Sequence, residues 1–100
     1  MHEEIANNLT TFKGHIEEFE KGYRSLVNDF DALVQNMHQL NSMWVGDSHD
    51  ALMQRFEEDR VTVQGMADYI RDILNDLKYA DSEYVKCENE VANIIDSIRV

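Results

Sequence analysis

The chain has no proline, four glycines, one cysteine and one tryptophan in 100 residues. Without proline nothing forces a helix to break, and with so little glycine the vocabulary of tight turns is sparse; long helices are permitted and a turn-rich β fold is not. The single Cys87 excludes an intrachain disulfide. Positive charge is scarce: nine Lys and Arg stand against 20 Asp and Glu, a formal net charge of −11. Phosphate binding needs clustered Lys and Arg, so nucleic acid is excluded as a partner and simple attraction to anionic lipid is disfavoured. No window reaches the roughly 18 apolar residues of a membrane span, so no stable membrane insertion is expected. The first residues, Met1-His2-Glu3-Glu4, carry no basic region and no following apolar block, and no cleaved signal peptide is expected.

The motifs of chemistry are missing as well. His2, His15, His38 and His49 are scattered, with no His-x-x-x-His pair and no ligand spacing to Cys87, so neither metal nor other cofactor is expected. There is no nucleophile elbow, phosphate loop or pair of catalytic carboxylates, and Glu57-Glu58-Asp59 reads as a solvated face. No catalytic residue is assigned and no enzymatic activity is expected.

What the chain does have is period. Ile5, Leu9, Phe12, Ile16, Phe19, Tyr23, Leu26, Phe30, Leu33, Met37 and Leu40 follow one another at intervals of four and three. In the second half Leu52, Phe56, Asp59, Val63, Met66, Ile70, Ile73, Leu77, Ala80, Tyr84, Cys87, Val91, Ile94 and Ile98 do the same, with Asp59 the one polar member. This is the 3.5-residue repeat of helices packed at a shallow angle. It predicts an all-α fold in one domain, residues 1–100: an antiparallel two-helix hairpin with helix 1 over about 5–40, a turn over about 41–47 and helix 2 over about 48–98. Phe12, Phe19, Leu26, Phe30, Leu33, Phe56, Val63, Ile70, Ile73 and Leu77 are the expected hairpin or dimer seam. In the turn, Gly46 supplies backbone freedom, Trp44 is a large anchor, and Asp47 or Ser48 is the expected cap of the second helix.

A further apolar row, Val27, Val34, Met53, Ala67, Leu74 and Ile95, sits beside the seam. A stripe that wide suits more than two helices, so dimerisation into a four-helix bundle is expected. Two similar hairpins would fit, as a homodimer or a heterodimer. At about 1.5 Å per residue the helices would span roughly 54 and 75 Å. Folding the chain about residue 44 then pairs Ile5 with the region of Glu83 and leaves residues from about 84 onward as an overhang. Cys87, on the seam, reads as a small buried hydrophobe. Asp59 reads either as a hydrated stretch or as the mate of a partner's Arg or Lys.

Trp44-Val45-Gly46 between two long helices, followed by Ala51, Leu52 and Phe56, resembles the WXG family of early-secretory-antigen-like (Esx-type) proteins, substrates of bacterial type VII secretion. The family's second element, Tyr-x-x-x-Asp/Glu, occurs twice, as Tyr79 with Glu83 and as Tyr84 with Glu88; the second is preferred because Ala80 lies four residues before Tyr84. The resemblance covers essentially the whole chain. It implies a hairpin that dimerises head to tail, so that Trp44 and Gly46 of one protomer and Tyr84 and Glu88 of the other form an export signal read by the secretion ATPase. The implied function is that of a non-enzymatic protein secreted without a cleaved signal peptide, cytoplasmic before export, alone or with a larger effector. Three other functions compete: a targeting or chaperone partner of a larger secreted toxin with a helical N-terminal domain, a structural helical-bundle adaptor that is not secreted, and a membrane-active helical protein, against which the acidic charge and continuous polar faces argue.

Overall fold

A computed structural model describes residues 2–98, with side chains from residue 3. It contains two helices, α1 (His2–Met43) and α2 (Asp47–Ile98), and no strand among the described residues. The helices form an antiparallel hairpin. Phe12 meets Tyr84 and Glu20 meets Lys78, while nearer the connection Asn41 meets His49.

Local chemistry favours both helices. Glu3 and Glu4 open α1 and Asp47 and Asp50 open α2, each placing negative charge at the positive end of the helix dipole. On α2, Arg55 donates to Asp59 four residues on at 3.3 Å, and Gln64 donates to Asp68 at 3.2 Å. Neither helix has a basic residue in its last turn. At the end of α1 the Ser42 hydroxyl instead donates to the Gln39 carbonyl at 2.7 Å.

The connection is tighter than the sequence pattern suggests. α1 continues through Met43, so only Trp44, Val45 and Gly46 separate the helices in place of a turn over 41–47. Gly46 has φ +132°, and its carbonyl accepts the first bond of α2 from the Asp50 N–H at 3.1 Å. Gly46 therefore occupies the N-cap position expected for Asp47 or Ser48. A cap needs a non-helical backbone, and here the one residue without a Cβ takes the reversal and the cap together.

The chain forms two compact units, residues 22–71 around the connection and the remainder, described over 2–21 and 72–98. In residues 22–71 the inward positions are Val27, Phe30, Val34 and Met37 on α1, and Met53, Phe56, Val63, Ala67 and Ile70 on α2; Ala67 is buried. In the other unit Ile16 and Leu74 are buried, with Leu9, Phe12, Ile73, Leu77 and Ala80 half-buried around them. Of the expected seam, Phe12, Phe30, Phe56, Val63, Ile70, Ile73 and Leu77 stay inward or half-buried, and the difference lies in the rows that flank them. Val27, Val34, Met53, Ala67 and Leu74, expected beside the seam, lie in it, whereas Phe19, Leu26 and Leu33, expected in it, are exposed. Intervals of four and three allow a helix to turn either of two adjacent rows toward its neighbour. The row with the small Ala67 permits the closer approach and is the one used.

Two other expectations change, at Tyr84 and at Cys87. Tyr84 does not begin an unpaired overhang: its ring packs on Phe12, and α2 keeps half-buried positions at Glu88 and Ala92. α1 begins at His2, and the connection is short, so the first helix reaches further along the second. Cys87 is exposed, not buried. Asp59 is exposed and ion-paired with Arg55, which agrees with the hydrated one of its two expected readings.

Gly46→Ala is expected to cost about 1–3 kcal/mol in urea unfolding, since no atom lies within 4 Å of the added Cβ and the penalty is purely that of the backbone. Gly14→Ala, inside α1 and equally open, should instead stabilise by about 0.5–1 kcal/mol.

Candidate partner-binding and export surface

The two helices give the hairpin two unlike sides. On residues 22–71, Leu26 and Leu33 stand four residues before the inward Phe30 and Met37, and Leu40 continues their row. On α2, Leu52, Asp59 and Met66 stand four residues before the inward Phe56, Val63 and Ile70. The offset has the same sign on both helices, and the helices are antiparallel, so both rows emerge on one side. All six residues are exposed, and all but Asp59 are apolar. The other side carries Arg24, Asp31 and His38 from α1, and Asp50, Glu57, Gln64 and Arg71 from α2. A shallow cleft there is lined by Met37, His38, Asn41, Met53, Phe56, Glu57 and Arg60, drawn from both helices.

In that cleft Arg60 grips Glu57 with a two-pronged contact, Nε to Oε2 at 3.0 Å and Nη2 to Oε1. The guanidinium holds the Glu57 carboxyl below its ordinary range, chiefly through this hydrogen bond and then through charge, and Glu57 raises Arg60 in return. A lowered carboxyl contributes stability above the unfolded carboxylate range and loses it as pH falls through the folded value.

At the connection, Trp44 is half-buried and packs edge-to-face on His49, ring centres 5.6 Å apart at 80°. The imidazole is itself fixed, Nδ1 against Asp50 Oδ1 at 3.0 Å and Nε2 against Asn41 Oδ1. Asn41 belongs to α1 and His49 to α2, so this ring joins the end of one helix to the start of the next. On either side of Trp44, Met43 is 83% and Val45 89% exposed, an apolar tip turned to solvent. His49 reads as one of several scattered histidines in the sequence. The available signal is that it stands five residues after Trp44, just past the reversal.

In the other unit, Tyr84 lies edge-on to Phe12 at 6.0 Å and 74°, beside an open apolar groove completed by Ile5, Asn8 and Leu9. Tyr84 still exposes 57% of its surface, while Glu88 is half-buried and engaged by a partner within the chain. Tyr79, 68% exposed, and Glu83 face solvent more fully. Trp44 and Gly46 belong to one unit, Tyr84 and Glu88 to the other. Among the described residues no group of His, Cys, Asp or Glu is placed to hold a metal ion, and no helix is long and apolar enough to cross a membrane. Compared with known proteins, the chain matches no family model, no curated protein and no solved structure.

His49→Ala should lower stability by about 1–2 kcal/mol through the lost hydrogen bonds, and should red-shift the emission of Trp44, the only tryptophan. His38→Ala, on the exposed cleft wall, should leave that emission in place. Glu57→Gln should lose less stability than wild type between neutral pH and the carboxylate range in acid-titrated urea melts, because the lowered carboxyl is gone.

Proposed function

We propose that this chain is a non-enzymatic substrate of a bacterial type VII (Esx-like) secretion system, exported as a folded dimer with a second helical hairpin. The observation that carries the reading is positional. Trp44, Val45 and Gly46 are the three residues that join two long antiparallel helices, where the WXG resemblance requires them. Val45 and Met43 are presented outward while Trp44 is held on His49, so the connection is both shaped and accessible.

Surface area supports the dimer. The chain exposes 7999 Å² at a mass of 11.7 kDa, whereas a compact monomer of that mass exposes about 5,900 Å². The excess of roughly 2,000 Å² is what one partner contributes to a large, permanent interface. In the dimer the Trp44–Gly46 connection of one protomer lies near Tyr84 and Glu88 of the other, and the secretion ATPase reads the pair. The apolar groove of Ile5, Leu9 and Phe12 beside Tyr84 offers the tyrosine a packed but accessible setting. A larger effector with a helical N-terminal domain is the second reading, since the same uncovered side of the hairpin would hold it.

Fractionation of the native host culture into cells and medium tests this. Wild type should reach the medium when the secretion system is active. Tyr84→Ala and Trp44→Ala, folded by circular dichroism, should stay in the cells, and Tyr79→Ala should leave. Wild type confined to the cells would make the hairpin a structural adaptor.

A further inference from the structure

We propose that the connection between the helices is a proton-operated latch: as an imidazolium, His49 holds the Asp50 carboxylate and the Asn41 side-chain carbonyl together, and loss of one proton turns the Asn41 amide over. The inference goes beyond the export reading and does not depend on it.

The two ring nitrogens carry the argument. His49 Nδ1 lies 3.0 Å from Asp50 Oδ1, and Nε2 lies against Asn41 Oδ1. Both partners are oxygens. An ionised carboxylate and an amide carbonyl only accept, so each needs an N–H from the ring. A neutral imidazole has one N–H, and the imidazolium has two. The arrangement is therefore complete only with the ring charged. A neutral ring that keeps its proton at Nδ1 for Asp50 presents a lone pair to Asn41. The amide must then turn to offer its NH2 group. Nε2 is bonded in both states, and one proton separates them.

The surroundings set the sign. The His49 side chain is 13% exposed and that of Asp50 81%. Asp50, on α2 itself, is the charged group in contact with the ring; α1 presents the neutral Asn41 and the connection the neutral Trp44. Asp47, in the same first turn of α2, is exposed. Further out, the cleft beside Asn41 carries His38 from α1 and Glu57 and Arg60 from α2, the last two paired with each other. A charge-assisted bond to the carboxylate is stronger than a neutral one, so the charged ring grips more firmly. That stability is present below the histidine range and is lost as pH rises through it. It also falls away in strong acid, once Asp50 is protonated. The effect lands on the reversal itself. Asn41 belongs to the last turn of α1, and the Asp50 N–H makes the first bond of α2, to the Gly46 carbonyl. Trp44 rests edge-on against the same ring. Its emission therefore reports the charge, because an imidazolium quenches indole more than an imidazole does.

The experiment takes the full-length chain through the histidine range, from about pH 5.5 to about pH 8. It follows Trp44 emission and the nitrogen chemical shifts of the His49 ring, with circular dichroism to establish folding. Emission should rise with pH in wild type and stay flat in His49→Gln. The neutral ring should carry its proton on Nδ1. Protection of the Asp50 amide against hydrogen exchange, corrected for the intrinsic rate, should be about fivefold greater at the acid end. Asn41→Asp, which sets a second carboxylate on the ring, should move the midpoint upward by about one pH unit. Emission that stays constant in wild type would overturn the proposal, as would a titration that persists in His49→Gln or a neutral ring protonated at Nε2. The wild-type ring shifts decide the matter even if a variant fails to fold. Export enters none of these readings, so the two proposals fail separately.

Discussion

A helix with one helical neighbour can turn roughly a third of its circumference away from water, and both helices here carry more apolar surface than that. This constraint organises the molecule. The inward positions go to the rows that contain Ile16, Ala67 and Leu74, the buried hydrophobic residues among those described. The adjacent rows, with Leu26, Leu33, Leu52 and Met66, then have nothing to cover them. The hairpin is consequently a half-finished core. Its inner seam settles the antiparallel pairing, and its other apolar row stays exposed.

The division into sides is electrostatic as much as hydrophobic. Arg60 and Glu57 are paired on the charged side, and Lys78 bridges to Glu20 across the two helices in the other unit. Such exposed pairs contribute little to stability individually. Each keeps its own part of the surface charged and solvated. Asp59 is the exception on the apolar side, one carboxylate among leucines and a methionine.

The connection has a different logic. A three-residue reversal between helices of 42 and 52 residues leaves little slack. Gly46 supplies the backbone angle, His49 ties the end of α1 to the start of α2, and Trp44 closes against that imidazole. Stiffness here holds the apolar tip of Met43 and Val45 in one place.

The absence of proline, the apolar interval of four and three, and the one Trp-x-Gly between two such stretches were enough to place two helices and a reversal near residue 44. These are properties of neighbouring residues, and a helix of 3.6 residues per turn converts them directly into faces. The choice between two adjacent apolar rows was not local. It depended on which surfaces approach most closely, and Ala67, one small side chain opposite a neighbouring helix, took Val27 and Val34 inward and left Leu26 and Leu33 outside. The same holds for Tyr84, whose place against Phe12 depends on how far α1 reaches along α2, and for His49, an ordinary histidine until Asn41 and Trp44 are brought to it. Sequence alone determined the helices and the point of reversal, because hydrogen bonds and periodicity act within a few residues. Tertiary structure decided which apolar row is core and which is surface, because packing is a relation between residues far apart in the chain.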